Sequence, residues 1–591
     1  MSHYRASLRD LEFVLFEMPG VTDAYGTGPY AEVDVDTARV ALAEVARLVT
    51  EEVAPSLAAG DREPPVYDPV TREVTVTKAV GEAYRTWRAA EFWRFGLPPE
   101  LGGTLASPRL FWALAELVLG ANPAVYMYTA GVNFTRLLHD RGTEEQQKIG
   151  RLMVDKAWGA TMVLTEPDAG SDVGAGRSKA VQQPDGTWHI DGVKRFITGG
   201  EHDLAENIVH FVLARPEGAG PGTRGLSLFL VPKYLFDWDS GELGERNGVY
   251  ATNVEHKMGL KASTTCELVF GAERPAVGWL LGEEHDGIKQ MFHIIENARM
   301  TVGTKAIATL ATGYRNAVEF ARTRVQGADI GQLADKTAPR VTIIHHPEVR
   351  RSLLTQKAYA EGLRALVAYT AGCQEAAALG DESAAGLNDL LLPLVKGYGA
   401  ERSSEQLMHA LQIFGGSGYL QDYPLEQYVR DARIDSLYEG TTAIQSMDLF
   451  FRKIVRDNGV SLGLLVGRIA EYDGAEADLL RAALEQTQSL LGLMVGELTA
   501  QPPNPYLVGE NTTRLLFALG DVVVAWLLLT QAEVAAAKLP TAKPADVPFY
   551  QGKVATAQWF ARTVLPEVTA FLTAATATTD GLLMAIPEDA F

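Results

Sequence analysis

A carboxylate and a glycine-rich turn lie near one another in the later part of this chain. Glu439 falls within residues 436–445 (SLYEGTTAIQ), directly before Gly440, and residues 412–419 (QIFGGSGY) precede it. A glutamate on a glycine-flanked bend can serve as a proton-abstracting base, and glycines let backbone N–H groups approach a phosphate closely. Each block alone has a plainer reading. A lone glutamate is usually solvated, and Gly415, Gly416 and Gly418 after the apolar segment 407–414 could simply end a helix. Together they favour a base beside a phosphate-bearing cofactor. A third block, residues 165–172 (TEPDAGSD), gathers turn formers with Thr165 and Ser171, so it reads either as a solvated loop or as a loop presenting two hydroxyls to a ligand.

Other motifs point away from chemistry. Residues 220–225 (GPGTRG) match G-x-G-x-x-G, but an apolar β-rich run, 226–231, follows where a dinucleotide fold needs a helix, so the match is a hairpin loop. His345 and His346 are adjacent, diverge on any helix and cannot chelate one ion. Cys266 and Cys373 stand alone, without C-x-x-C or Cys/His spacing, which argues against a disulfide framework or zinc and fits a reducing cytoplasm.

The elements that must carry these blocks change texture along the chain. After an arm over 1–35, Asp36 reads as a helix cap, with Leu42, Val45, Val49 and Val53 at helical spacing before Pro55, and helical patterning continues to Trp158. From about 159 to 285 short β-rich runs replace helices: 188–190 and 193–198 about an Asp-Gly turn, then 208–214, 226–231 and 266–270. Helical spacing returns from Ile288 to about 457. A final region, 458–591, carries Leu480, Leu484, Thr487, Leu491, Met494 and Leu498 on one helix face. The class is α+β: an N-terminal all-α domain (36–158), a compact antiparallel β domain (159–285), a helical domain (286–457) and an extra C-terminal helical domain (458–591).

Composition sets outer limits. A chain of 591 residues exceeds a single core, and 47% hydrophobic with 21% charged residues is globular. A formal net charge of -21 opposes nucleic acid and anionic membrane as partners. The first ten residues lack a signal-peptide pattern. The apolar run 522–529 is too short to span a bilayer and reads as a buried helix.

Four stretches in order, 162–172 (MVLTEPDAGSD), 196–198 (FIT), 412–419 (QIFGGSGY) and 438–445 (YEGTTAIQ), resemble the acyl-CoA dehydrogenase family over about residues 40–455, in its longer bacterial branch with an added C-terminal helical region. The resemblance implies a helical domain, a middle β-barrel and a four-helix bundle, with FAD between them and against a neighbouring subunit. It places Met162, Leu164, Thr165, Gly170 and Ser171 at the flavin, with Phe196, Ile197 and Thr198 along its other edge. Gln412, Gly415 and Gly416 would hold pyrophosphate, with help from Arg324 and His346, and Thr441 and Thr442 would also contact FAD. Ser171, Glu296, Arg299 and Gly440 would meet acyl-CoA.

The resemblance makes Glu439 the base that removes the proton alpha to the thioester, with its own backbone N–H and a flavin hydroxyl on the carbonyl oxygen as hydride leaves the beta carbon. Some relatives carry the base just before the arginine of 296–299 (ENAR), but that position here is Ala298. Phe196 replaces a usual Trp, Pro347 and Ala443 replace usual Gln residues, and the pattern after Arg324 departs from the family, which puts FAD contacts there in doubt. The implied activity is oxidation of a fatty acyl-CoA to the trans-2-enoyl-CoA in β-oxidation. Electrons would pass to an electron-transfer flavoprotein, and the extension would pack to give a homodimer. Competing readings are an acyl-CoA oxidase, a dehydrogenase for aryl- or sulfur-containing acyl-CoA, and a flavin-bearing DNA-associated protein. The last is opposed by eight Lys plus Arg against fifteen Asp plus Glu over 456–591.

Overall fold

The computed structural model describes residues 2–579 and 581–591. It divides into two compact units, one of residues 2–6 with 25–298 and one of residues 7–24 with 299–591.

In the first unit, helices run from Val35–Leu48 to Glu144–Asp155. The first begins two residues earlier than expected. Asp34, on extended backbone, accepts from the Thr37 N–H at 2.8 Å, so it is the cap and Asp36 lies within the first turn. Glu144–Asp155 starts on a reciprocal Thr143/Gln146 capping box.

An eight-stranded sheet follows: β1 (Gly159–Val163), β2 (Lys179–Gln182), β3 (Trp188–Thr198), β4 (Ile208–Pro216), β5 (Ser227–Pro232), β6 (Val249–Val254), β7 (Thr265–Phe270) and β8 (Ala276–Leu281). The order is β6-β7-β3-β8-β5-β4-β1, and β2 pairs with both β3 and β4. That second pairing closes a ring of β2, β3, β8, β5 and β4, which removes the open edges of those strands. The expected antiparallel barrel holds for most pairings, but β1 with β4 and β2 with β4 are parallel. The core of the ring includes Trp188, Ile190, Val212, Phe229 and Phe270. The 220–225 glycine motif is the β4–β5 hairpin loop, as its sequence suggested.

In the second unit the start of the expected arm is a packed helix, Leu8–Phe16. Its Asp10 carboxyl is buried and ion-paired with Arg364 and Lys553. Long helices Gly287–Thr323, whose first part belongs to the other unit, and Pro347–Ala378 are joined by Glu382–Pro393 and Gly399–Ile413. The C-terminal region adds Ala477–Thr499, Pro505–Lys538 and Val547–Thr563. Among the described residues Pro505–Thr541 is long and apolar enough to cross a membrane by length and composition. Yet 83% of its most apolar window is buried within the protein, and its Asp521 pairs with Arg402 at 2.8 Å, so it is a core helix here.

Candidate active site

Glu439 follows helix Leu425–Arg433 and the single turn Ile434–Ser436, on a loop that ends where Thr441 caps helix Thr442–Met447. Glu439 has φ +55° and Gly440 φ +92°. Left-handed backbone is uncommon for a non-glycine residue and costs about 1–3 kcal/mol, so the surroundings must enforce it.

Three successive residues of this loop are tied down. The Tyr438 hydroxyl donates to Asp435 at 3.1 Å, the Glu439 carbonyl accepts from Gln445 Nε2 at 2.9 Å, and the Gly440 carbonyl accepts from Lys396 Nζ. Asp435 is itself held by Lys305, whose ammonium donates to both of its oxygens at 2.8 Å and to the Asp431 carbonyl. Lys305, Asp435 and Lys396 are all fully buried. Gly303 allows the approach of these helices: a Cβ there would sit 2.6 Å from the Val395 carbonyl oxygen.

The carboxyl of Glu439 accepts no hydrogen bond among the described residues. Burial pushes its pKa above the ordinary carboxylate value, against the opposing charges of Lys396 and Arg299. An acid poised this way is suited to taking a proton near neutral pH.

Arg299 was expected along a CoA path. Its guanidinium is buried and paired with Asp448 at 2.7 Å. Thr441 spends its hydroxyl on the Ile444 N–H, and Thr442 donates to Glu401 at 2.6 Å. Both were expected at the cofactor; here their hydroxyls also take part in holding the loop and the helix start, Thr441 as an acceptor and Thr442 as a donor.

The glycine turn is also built for close approach. Gly415 is left-handed, and neither it nor Gly416 has another atom within 4 Å of a built Cβ. Gln412 is exposed beside it. Phe414 stacks on Phe320 at 4.2 Å, and the Arg324 guanidinium lies 4.9 Å from the Phe320 ring, which brings that arginine to the turn. His346 fastens the other end of the hairpin after Arg324 by bonding the Gln326 carbonyl at 2.7 Å. An open cavity of about 770 Å³ adjoins it, lined by Gly327, Lys336, Arg340 and His346. Cations, bare glycine backbone and open space fit the phosphates and adenosine of a dinucleotide.

The first unit holds the remaining candidates. Phe196 sits in β3 with φ +62° and is 56% exposed. Between the pairs Ile197–Cys266 and Lys194–Leu268 the register shifts, so Arg195 and Phe196 form a bulge opposite Glu267. Bulges of this kind re-aim side chains beside functional sites. Thr198 is exposed as well, but the Ile197 side chain is buried in the barrel core, because alternate residues of a strand face opposite ways. Ile197 therefore offers a ligand only its backbone.

Met162, Leu164 and Thr165 are part-buried, and Gly170 and Ser171 exposed. Sequence reasoning missed what secures that segment: Lys194 Nζ donates to the Leu164 carbonyl and to Glu166 at 2.9 Å, and Glu166 also accepts from the N–H groups of Arg177 and Ser178. Glu296 lies on the Gly287–Thr323 helix. Among the described residues no cluster of His, Cys, Asp and Glu could hold a metal.

Family models match three stretches: "Acyl-CoA dehydrogenase, middle domain" over 161–272, "Acyl-CoA dehydrogenase, C-terminal domain" over 285–452, and "Acetyl-CoA dehydrogenase C-terminal like" over 466–587. The chain is 55% identical to the broad-specificity linear acyl-CoA dehydrogenase FadE5 of Mycobacterium tuberculosis, over 100% of both chains. It is 36% identical to 3-methylmercaptopropionyl-CoA dehydrogenase of Ruegeria pomeroyi, over 98% of this chain and 99% of that one. Its fold matches the crystal structure of an acyl-CoA dehydrogenase complexed with FAD from Bacillus anthracis with a TM-score of 0.72, at 20% identity over 97% of this chain and 93% of the other.

Proposed function

The chain belongs to the acyl-CoA dehydrogenase family, and we propose that Glu439 is its catalytic base, removing the C2 proton of a bound acyl-CoA thioester. The protein is an FAD-dependent oxidoreductase. One observation carries the assignment: a carboxyl with no hydrogen-bond donor among the described residues, held on a left-handed loop by three separate ties, with its pKa raised by burial.

FAD, when bound, supplies the acceptor for the hydride that leaves C3. Gln412, Gly415, Gly416, Arg324 and His346 would hold its phosphates and adenosine, and Met162, Leu164, Thr165, Phe196 and Thr198 its ring. Glu439 takes the C2 proton. Charge then develops on the thioester oxygen, and the Glu439 backbone N–H is the donor this chain offers there. Ser171, Glu296 and Gly440 would meet the CoA ester.

We propose straight-chain fatty acyl-CoA as substrate, supported by the full-length likeness to the mycobacterial linear acyl-CoA dehydrogenase. A sulfur-containing acyl-CoA is the second reading, favoured by the Ruegeria relative. An electron-transfer flavoprotein as acceptor, a homodimer and a reducing cytoplasm complete the proposal, the last supported by two buried free thiols. We place domain boundaries near 159, 286 and 458.

The test is Glu439→Gln. The variant keeps FAD and binds acyl-CoA, while the rate of flavin bleaching falls by about 10²–10⁴-fold. Near-normal bleaching refutes the assignment. Slow reoxidation on aeration supports a dehydrogenase over an oxidase.

A further inference from the structure

We propose that Lys396 is a positioning residue for Glu439: its buried ammonium fastens the Gly440 carbonyl, holds the left-handed turn, and supplies the unshared positive charge facing the carboxyl. The inference rests on the reading of Glu439 as the base.

The placement of Lys396 is unusual. It lies in a π-helical turn, Leu394–Tyr398, directly after Pro393, on a segment otherwise made of buried apolar residues. Extra-residue turns of this kind often mark functional sites because they redirect a side chain out of the helical repeat. The Lys396 side chain is fully buried, and its ammonium donates to the carbonyl of the residue that follows Glu439.

The neighbouring charges are each matched elsewhere. Lys396 feels Asp435, Glu439, Arg299 and Glu401. Asp435 is chelated by Lys305, and Arg299 is paired with Asp448. Glu401 takes the Thr442 hydroxyl and pairs with Arg433 at 3.2 Å. Glu439 faces the charges of Lys396 and Arg299, and the Tyr438 hydroxyl beside it is committed to Asp435. Once the matched pairs are set aside, the carboxyl of Glu439 and the ammonium of Lys396 are left to balance one another. Burial, with a smaller push from Arg299, draws the Lys396 pKa down to about 8 against the opposing pull of Asp435, Glu439 and Glu401, so the balance operates near neutral pH.

The arrangement separates two duties. The hydrogen bond to Gly440 sets where the carboxyl points. The charge sets the pH at which it can accept a proton, since a nearby cation favours the carboxylate and lowers its pKa.

The experiment uses the FAD-loaded full chain and a 3-thiaacyl-CoA, which has no C3 hydride to lose. Exchange of its C2 hydrogens into D2O is followed by mass spectrometry from about pH 5 to 9. In Lys396→Met the exchange midpoint moves up by about one unit or more. The rate near pH 6 then falls about tenfold and recovers at high pH, with FAD content and analogue affinity retained. A uniform loss of rate at an unmoved midpoint, or no change, overturns the proposal.

Should the Met variant yield no folded flavoprotein, Lys396→Arg carries the test. Retaining the charge must retain the wild-type midpoint, and a shift of a unit overturns the idea. Glu439→Gln is run alongside: if it still exchanges, the base itself is misassigned and this proposal falls with it, a result distinct from an unmoved midpoint in Lys396→Met.

Discussion

In the first compact unit Lys194 donates to the Leu164 carbonyl and pairs with Glu166 at 2.9 Å. In the second, Lys396 donates to the Gly440 carbonyl and forms no ion pair among the described residues. Both lysines are buried and both secure a loop. The carboxylates beside them end in opposite states. Desolvation acts on Glu166 too, but the Lys194 charge and donors from Arg177 and Ser178 outweigh it and hold Glu166 below the ordinary carboxylate range. Around Glu439 desolvation wins and the pKa rises. A buried acid that has collected its hydrogen bonds is structural, and one left without them is available to take a proton from something else.

Removing the paired lysine should produce the largest effect on stability. Lys194→Met leaves Glu166 buried and uncompensated, which costs about 3–5 kcal/mol. Denaturant unfolding measures it. The midpoint for C2 hydrogen exchange should stay where it is in the wild type, because Lys194 is not among the charges that act on Glu439. A moved midpoint would erase the distinction drawn between the two lysines.

A smaller effect, and a sharper one, lies in how stability depends on pH. Glu166 has a lowered folded pKa, so its contribution is present above the unfolded value of about 4.3 and is lost as pH falls through the folded pKa. Glu439 has a raised folded pKa, so its protonated form favours folding, and that contribution fades as pH rises from the unfolded value through the folded one. Glu166→Gln should therefore lose most against wild type at neutral pH, and Glu439→Gln should gain on wild type over the same rise. Melting temperatures from about pH 4 to 8 give both slopes, and slopes of the same sign would contradict the contrast.

The same contrast explains what could be read in the sequence. Glu439 and the 412–419 turn were legible because their backbone needs glycine, and glycine is visible in a sequence. The β domain was legible in most of its apolar strands, while Lys179–Gln182 is short and half polar, Val249–Val254 carries Thr and Asn in its second half, and Ala276–Leu281 is split by Gly278, so none of the three stood out. The buried charges under the loop were not legible, since lysines and aspartates are mostly exposed. One signal was there to be used: Lys396 interrupts residues 390–398, where its neighbours are Leu, Pro, Val, Gly and Tyr. The Leu8–Phe16 helix escaped because its burial depends on Arg364 and Lys553, hundreds of positions away.

Both halves of the contrast include a non-glycine residue in left-handed backbone, Glu439 in one unit and Phe196 in the other, and this yields the smallest predicted effect. Phe196 is 56% exposed, so truncating it forfeits little burial, whereas glycine adopts φ +62° without steric cost. Phe196→Gly should raise the melting temperature of the FAD-free protein modestly, by the equivalent of about 1 kcal/mol, or leave it level once the added chain entropy of glycine is subtracted. FAD retention should fall in the same variant, because the exposed aromatic wall is gone. Strain kept only for a ligand predicts this split between stability and binding. If Phe196→Gly lowered apoprotein stability by several kcal/mol, the ring would be part of the barrel's packing and the bulge would have no bearing on the flavin.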